Sequence, residues 1–216
     1  MNIRAKAMSL FLLGLVRLLT GAQARWYGCP PKAEQRIYFA NHQSHADLVL
    51  MWAALPQELR SITRPIAAKD YWTASTFKRW ITTEVFNAVY VEREKKGDED
   101  PLQPLIDALD SGDSLILFPE GTRTSDGSLQ SAKAGVGFIA CKTQVPVVPV
   151  RIFGSFEAYG KGRGLHLGTP VSIVYGRPIP PSAYDEPKAG KERAQIASDR
   201  IMSEIARLQM PARQVI

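Results

Sequence analysis

Short apolar runs alternate with longer amphipathic stretches after Pro31, which is the pattern of an α/β domain. The run from Leu115 to Phe118 is apolar at every position and predicts a strand that is covered on both faces. Similar runs predict further strands at residues 37–40, 61–68, 86–91, 145–152, 165–167 and 171–175. Amphipathic stretches predict helices at residues 47–55, 71–80, 102–110, 134–143 and 191–208. We therefore predict an α/β fold with a mixed, largely parallel sheet flanked by helices.

The N-terminal residues differ from the rest of the chain, because they combine an apolar run with basic residues. Arg4 and Lys6 precede an apolar run over residues 8–16, Arg17 interrupts it, and a small-residue stretch follows at residues 21–24. This pattern is too short and too charged to span a bilayer comfortably. It fits an amphipathic helix lying on a membrane, a cleaved signal peptide, or a helix packed on the domain. We favour the first, with residues 1–28 as a membrane-docking segment and residues 29–216 as the α/β domain.

The charge balance favours anionic partners. Lys and Arg number 27 and Asp and Glu number 21, giving a formal net charge of +6. Nucleic acid, anionic lipid, phosphorylated substrates and acidic carrier proteins are all compatible with that charge. The two cysteines, Cys29 and Cys141, form neither a disulfide framework nor a zinc-finger spacing, so a reducing compartment is expected.

The densest polar cluster, residues 41–47, lies between a predicted buried strand and a helix, where α/β folds place their sites. His42 can accept a proton near neutral pH if another group fixes its ring, and Asp47 can do so when His42 lies in the turn before the helix. Alternatively, Asn41 or Ser44 caps the helix and the histidines are incidental. Metal-dependent hydrolysis, a serine hydrolase and direct acyl transfer all remain open, although no G-x-S-x-G motif occurs.

A second cluster, residues 118–124, leaves the strongest predicted strand. Gly121 allows a backbone to approach a ligand closely, and Arg123 offers a planar fork that suits phosphate. The cluster therefore has the outline of an anion site. A turn with an exposed salt bridge from Glu120 to Arg123 is the alternative.

Four segments together resemble the 1-acyl-sn-glycerol-3-phosphate acyltransferase family of glycerolipid acyltransferases. The family motifs are N-H-x-x-x-x-D, a strand ending in an acidic residue and arginine, F-P-E-G-T-R, and V-P-x-x-P-V. They correspond here to residues 41–47, 89–93, 118–123 and 145–150. The resemblance covers residues 36–152, and 120 − 42 = 78 positions separate His42 from Glu120.

The resemblance implies that His42 is the general base and Asp47 its orienting partner. It further implies a set of residues that bind the glycerophosphate acceptor, with the two lysines as additional cations: Arg93, Glu120, Gly121, Thr122, Arg123, Lys69 and Lys133. His45 is a departure, because relatives more often carry an apolar or aromatic residue there. The choice of base therefore rests on the motif.

The implied reaction moves a fatty acyl group from acyl-CoA or acyl carrier protein to a lysophospholipid hydroxyl, converting lysophosphatidic acid to phosphatidic acid. The thioester is already activated, so no cofactor or metal is expected. The expected partners are the lysophospholipid, the thioester donor and a membrane surface, and not nucleic acid. The expected location is the cytoplasmic face of the inner or plasma membrane, peripheral or monotopic. Alternatives are another acceptor such as lyso-ornithine lipid, a hydrolase using His42, His45 and Asp47, and a non-catalytic lipid-binding module.

Overall fold

The computed structural model describes residues 2–92 and 100–210. The strands are β1 Gln23–Trp26, β2 Ile37–Ala40, β3 Thr63–Ala68, β4 Val89–Val91, β5 Ser114–Leu117, β6 Val147–Phe153 and β7 Ser172–Tyr175. The longer helices are α1 Ile3–Thr20, α2 Asp47–Ala54, α3 Gln57–Ile62, α6 Gln103–Asp110, α7 Ala134–Thr143 and α10 Arg193–Arg207. The short helices are α4 Lys69–Trp72, α5 Thr76–Trp80, α8 Ser155–Tyr159, α9 Pro181–Tyr184, a π-helical turn Ile81–Val85 and a 3₁₀ helix Pro187–Glu192.

Within the described residues the strands form one seven-stranded sheet in the order β1-β7-β6-β2-β5-β3-β4. The five strands from β6 to β4 run parallel to one another. β7 pairs antiparallel with β6, and β1 pairs parallel with β7. The predicted mixed, largely parallel α/β fold is therefore confirmed.

Both faces of the sheet are covered, because alternate side chains of each strand enter separate cores. Ile37 and Phe39 of β2 point into the core beneath α6, α7 and α10. Tyr38 and Ala40 point the other way, into the core beneath α2 and α3. The continuously apolar runs β2 and β5 are accordingly buried at every position.

Several boundaries differ from the prediction. Residues 71–80 do not form one helix, because Ser75 starts a new helix by accepting a hydrogen bond from the Lys78 N–H. The predicted strand at residues 61–68 begins only at Thr63. Residues 165–167 form no strand, and Leu165 and Leu167 are exposed. β1 was not predicted from the sequence, because its alternation of polar and apolar residues spans only four positions.

Helix α1 has two apolar faces. Ala5 and Ser9 are buried, and Met8, Leu12, Leu13 and Val16 pack against a core that includes Trp52 and Phe86. The opposite face carries exposed apolar side chains: Ile3, Leu10, Phe11 and Leu18. We call these four residues the outer stripe. The helix begins at Asn2, whose side chain accepts from the Ala5 N–H, and ends at Gly21 in the left-handed conformation.

Among the described residues, no helix combines the length and the apolar character needed to cross a bilayer.

Candidate active site

The predicted site residues that the structure describes lie at one edge of the sheet. β2, β5, β3 and β4 are parallel neighbours, so the segments that follow them emerge at the same edge. The His42 turn follows β2, the loop over residues 118–124 follows β5, and Lys69 follows β3. The topology therefore brings together segments that lie far apart in the sequence.

His42 and Asp47 form a hydrogen-bonded pair. The His42 Nδ1 and Asp47 Oδ2 atoms are 2.9 Å apart, and Asp47 is completely buried while the His42 side chain is 21% exposed. An ionised carboxylate can only accept, so Nδ1 carries the hydrogen and Nε2 keeps its lone pair. The His42 ring also stacks on Phe118, with ring centroids 4.1 Å apart. The pair therefore fixes both the tautomer and the orientation of the imidazole.

Asp47 is held by the turn that precedes its own helix. Its Oδ2 atom also accepts from the backbone N–H groups of Gln43 and Ser44, each at 2.7 Å. Asp47 is the first residue of α2, where the helix dipole favours a negative charge. Its Oδ1 atom is buried without a hydrogen-bond partner in the described part of the chain. The carboxylate is thus positioned by backbone and not by a flexible side chain.

The loop after β5 forms hydrogen bonds with both backbone groups of His42, the N–H and the carbonyl. The His42 N–H donates to Glu120 Oε1 at 2.9 Å, and the Thr124 N–H donates to the His42 carbonyl at 3.0 Å. Glu120 Oε2 accepts from the Gln130 N–H at 3.2 Å, and the side chain is buried. Burial raises the pKa of Glu120, while these two backbone hydrogen bonds lower it. Glu120 therefore contacts backbone amides here, and its predicted contact with the acceptor stays a prediction.

Gly121 and Lys133 lie against each other. Gly121 has φ of +69°, and a Cβ atom there would lie 2.9 Å from Lys133 Cδ and Cε. The Lys133 N–H donates to the Pro119 carbonyl at 2.9 Å, which anchors the start of α7 beside this turn. A glycine is needed at position 121 both for the left-handed backbone and for the passage of the lysine side chain.

Arg123 and His45 are in direct contact. The Arg123 guanidinium is hydrogen-bonded to His45 Nδ1. The centroid of the His45 ring lies 5.3 Å from the centroid of the Tyr159 ring. Burial lowers the pKa of His45, and the positive charge of Arg123 lowers it further. A neutral His45 can accept the guanidinium N–H, whereas a protonated one would repel it. His45 thus contacts the proposed phosphate-binding arginine and not Asp47.

The remaining predicted site residues are Lys69, Thr122 and Arg93. Lys69 Nζ lies 2.8 Å from Glu92 Oε1, and its side chain is more than half exposed. Thr122 is exposed in the same turn as Gly121. Arg93 lies outside the described residues, so its predicted role stays a prediction.

A cavity of about 260 Å³ opens beside His42. His42, His45, Gly121 and Arg123 form its polar side. The rest of the wall is mostly apolar and comes from several elements: Leu48, Ile66, Ala68, Tyr71, Trp72, Val91, Leu117 and Phe118. A cavity lined by both charged and apolar side chains suits a substrate that has a charged head and a hydrocarbon tail.

Asn41 and Ser44 hold the site by contacts that the sequence did not predict, and neither side chain caps α2, which has no side-chain cap hydrogen bond. Asn41 exchanges hydrogen bonds with the Ile152 backbone, donating at 3.1 Å and accepting at 2.7 Å, which ties the end of β2 to β6. Ser44 donates to the Tyr159 carbonyl at 2.6 Å. Both lie within the polar cluster 41–47, but their partners are more than 100 positions away. The feature of the sequence that points to a role for Asn41 is its position directly before His42.

Among residues 2–92 and 100–210, no three or more His, Cys, Asp or Glu side chains are grouped so that they could hold a metal ion.

Comparison with known proteins identifies the family. The family model described as "Acyltransferase" matches residues 29–153, which is more than half of the chain. The chain belongs to the acyltransferase family. The matched range contains His42, Asp47 and the loop over residues 118–124, so the family region and the candidate active site coincide.

The chain is also similar to proteins that are named 1-acyl-sn-glycerol-3-phosphate acyltransferases. A chloroplastic 1-acyl-sn-glycerol-3-phosphate acyltransferase of Brassica napus is 29% identical over 154 residues, covering 69% of this chain and 42% of that protein. The alpha enzyme of the same name from Homo sapiens is 29% identical over 133 residues, covering 60% of this chain and 44% of that protein. This acyltransferase chain spans about half the length of the curated relatives it matches.

A solved acyltransferase structure has the same fold. The 1-acyl-sn-glycerophosphate acyltransferase PlsC from Thermotoga maritima superposes with a TM-score of 0.65 and is 25% identical in sequence. The superposition covers 98% of this chain and 86% of that chain. It therefore includes the N-terminal helix as well as the sheet.

Proposed function

We propose that this protein transfers a fatty acyl group from an acyl thioester to the hydroxyl of 1-acyl-sn-glycerol-3-phosphate, giving phosphatidic acid. The observation that carries the proposal is the His42–Asp47 pair beside a cavity that is lined by Arg123 and by mostly apolar side chains. The names of the relatives support the choice of acceptor.

In the proposed reaction His42 Nε2 removes the proton from the acceptor hydroxyl as its oxygen attacks the thioester carbonyl. Asp47 stabilises the imidazolium that forms, through the Nδ1 hydrogen bond. The carbon–sulfur bond of the tetrahedral intermediate then breaks, and the departing thiolate takes the proton from His42. One ester and one free thiol result, and His42 returns to its starting state.

Arg123 and Lys133 are the groups we assign to the acceptor phosphate. Arg123 lines the cavity beside His42, which we call the catalytic cavity. The Lys133 side chain lies against Gly121, which also lines this cavity. A guanidinium fork and an ammonium group are both suited to phosphate. Glu120 contributes indirectly, because its carboxylate holds the His42 backbone in place.

The apolar wall is the natural place for a hydrocarbon chain next to the reacting atoms. Leu48, Ile66 and Trp72 belong to three different elements that converge on this wall. The donor is acyl-CoA or acyl carrier protein, and the reaction needs no cofactor because the thioester is already activated.

The proposal is tested by incubating the protein with radiolabelled acyl-CoA and acyl carrier protein thioesters and a panel of lysolipids. The expected product is labelled phosphatidic acid, formed from lysophosphatidic acid in preference to lyso-ornithine lipid. Free fatty acid as the sole product would indicate a hydrolase. Binding of lysolipid without turnover of any thioester would indicate a non-catalytic module.

We also propose that the outer stripe of α1 docks the enzyme on the cytoplasmic face of a membrane. Ile3 and Leu18 are more than 80% exposed, and Phe11 is 61% exposed. Arg4, Lys6 and Arg17 lie on the same helix, where they can meet anionic headgroups. Leu18 is close to further exposed apolar residues, because the Gly168 N–H donates to the Leu19 carbonyl beside Leu165 and Leu167.

Substituting Phe11 by serine tests this docking without exposing the core. We expect the partition coefficient onto phosphatidylglycerol-containing vesicles to fall about tenfold or more, because an aromatic side chain contributes roughly 1.5 to 3 kcal/mol on leaving water. Phe138→Ser is the matched control, since Phe138 is exposed on α7 at the opposite face of the sheet. Equal binding by both variants would contradict the docking surface.

A further inference from the structure

A second cavity lies between α1 and the rest of the molecule. Its volume is about 780 Å³, which is within the range of small-molecule sites, roughly 300 to 1,000 Å³. Helix α1 forms one wall, and α2, α3 and the π-helical turn form the others. It shares no lining residue with the catalytic cavity, and the proposed acyl transfer does not use it.

Part of the cavity lining is apolar. Trp52 and Phe86 are almost completely buried and pack edge to face, with ring centroids 4.9 Å apart. Leu13 of α1 lines the cavity with them, and we call these three residues its floor. Such a surface accepts a hydrocarbon chain without polar groups that would have to be desolvated.

The rim carries two cations, Lys6 and Arg60. The Arg60 guanidinium lies 5.2 Å above the Trp52 ring, and in the described part of the chain no carboxylate is within ion-pair distance of it. Burial lowers the pKa of Arg60 and the nearby positive charge of Arg17 lowers it further, whereas the negative charge of Glu58 raises it. Glu84 also lines the cavity, and its Oε2 atom accepts from Asn2 Nδ2 at 3.2 Å. The lining thus carries two cationic side chains and one carboxylate, and a phosphate placed at Arg60 and Lys6 would contact both cations.

The cavity is continuous with the outer stripe. Leu10 lines the cavity and is also 70% exposed on α1, next to Phe11. A molecule with a hydrocarbon tail could therefore pass from the surface that contacts the bilayer into the cavity along Leu10.

We propose that this cavity binds an anionic phospholipid of the bilayer, separately from the catalytic cavity. Its phosphate contacts Arg60 and Lys6, and one acyl chain lies on the floor formed by Leu13, Trp52 and Phe86. The site retains an anionic lipid beside the docking helix. The proposal rests on the proposed membrane function of α1, but lipid binding can be measured without acyl transfer and without a bilayer.

The test is isothermal titration of the full chain with dihexanoylphosphatidylglycerol below its micelle concentration. We expect saturable binding that Arg60→Gln weakens about tenfold or more, because a hydrogen bond between two charged groups is lost. Ser61→Trp, at an exposed position on the rim, is expected to block the site by filling it. Arg163→Gln is the matched control, since it removes the same charge from an exposed arginine outside the cavity.

Binding that survives both Arg60→Gln and Ser61→Trp would overturn the proposal, whether or not the protein transfers acyl groups. Binding that Arg123→Gln abolishes would place the lipid in the catalytic cavity and would also overturn it. Equal affinity for dihexanoylphosphatidylcholine would contradict the role of the anionic headgroup. If Arg60-dependent binding is found but no acyl transfer occurs, the proposed function fails and the lipid site stands.

Discussion

At the scale of single residues, Asp47 decides which nitrogen of His42 is free to act as a base. Its Oδ2 atom accepts from the His42 ring and from two backbone amides, so the carboxylate cannot rotate without losing three hydrogen bonds. The sequence could predict the His42–Asp47 pair, because their spacing places one in a turn and the other at the start of a helix.

Asp47→Asn tests this role. All three hydrogen bonds go to Oδ2, so an amide oxygen at that place can keep them, while the NH₂ group takes the buried Oδ1 position, which has no hydrogen-bond partner among the described residues. The variant therefore loses the negative charge that stabilises the imidazolium form of His42. We expect kcat to fall by about 10²- to 10⁴-fold. The melting temperature of the same variant checks that the loss is not due to unfolding. A kcat within about threefold of the original, in a folded variant, would contradict the role of Asp47.

Gly121→Ala separates backbone strain from contact with Lys133. Alanine in the left-handed region costs about 1 kcal/mol of stability, and its Cβ would also displace the Lys133 side chain. Gly112→Ala is the control, because φ there is +89° and nothing lies within 4 Å of an added Cβ. Both variants should lose similar stability in urea unfolding. Only Gly121→Ala should raise the KM for lysophosphatidic acid. An equal KM in the two variants would contradict the assignment of Lys133 to the acceptor phosphate.

The role of Glu120 shows what the sequence could not give at this scale. The F-P-E-G-T-R motif predicts a group that contacts the acceptor, which stays a prediction, and it did not predict that the carboxylate accepts from the amides of His42 and Gln130. A motif identifies a position without showing which way its side chain points. That direction depends on the packing of two loops 78 residues apart.

At the scale of elements, the runs that are wholly or mostly apolar were predicted best. β2, β5 and α7 were predicted with boundaries within one residue, because β2 and β5 are buried on both sheet faces and α7 is a mostly apolar stretch that ends at Thr143. The division of residues 71–80 into α4 and α5 was missed, since a local cap at Ser75 overrides the apolar spacing. β1 was missed because it depends on pairing with β7, which lies about 150 positions later.

The junction of α9 and α10 gives a pH-dependent prediction. Arg193 donates two hydrogen bonds to Asp185 and holds the pKa of that carboxyl well below its usual range. This contribution to stability is complete above the unfolded pKa of about 3.9 and is lost as the pH falls from there through the lowered folded pKa. Asp185→Asn should therefore be less stable at pH 7, and its urea midpoint should change less between about pH 4 and pH 2. Parallel pH dependence of the two midpoints would contradict the ion pair's contribution.

At the scale of the whole molecule, the net positive charge and the apolar outer stripe of α1 indicate the same kind of partner. The net charge of +6 and the outer stripe of α1 favour the same partner, an anionic bilayer. The sequence predicted this combination, but only the structure shows that α1 has one face packed on the core and another left exposed.

Salt should weaken the association of the protein with anionic vesicles. Raising the ionic strength from about 0.1 M to about 1 M shortens the screening length from about 10 Å to about 3 Å, so the attraction between the cationic surface and the lipid declines. Sedimentation with phosphatidylglycerol vesicles should show the bound fraction falling, whereas the smaller amount bound to phosphatidylcholine should change little. A salt-independent bound fraction on both lipids would show that charge does not contribute.

The rate of acyl transfer in His42→Ala compared with His45→Ala tests the central claim most directly. Both histidines line the catalytic cavity, but only His42 is paired with Asp47. The expected result is a loss of about 10²- to 10⁴-fold in kcat for His42→Ala. His45→Ala should retain most of its kcat, with its main change in the KM for the phosphate-bearing acceptor. Loss of turnover in His45→Ala with retention in His42→Ala, both folded, would contradict the assignment of His42 as the general base.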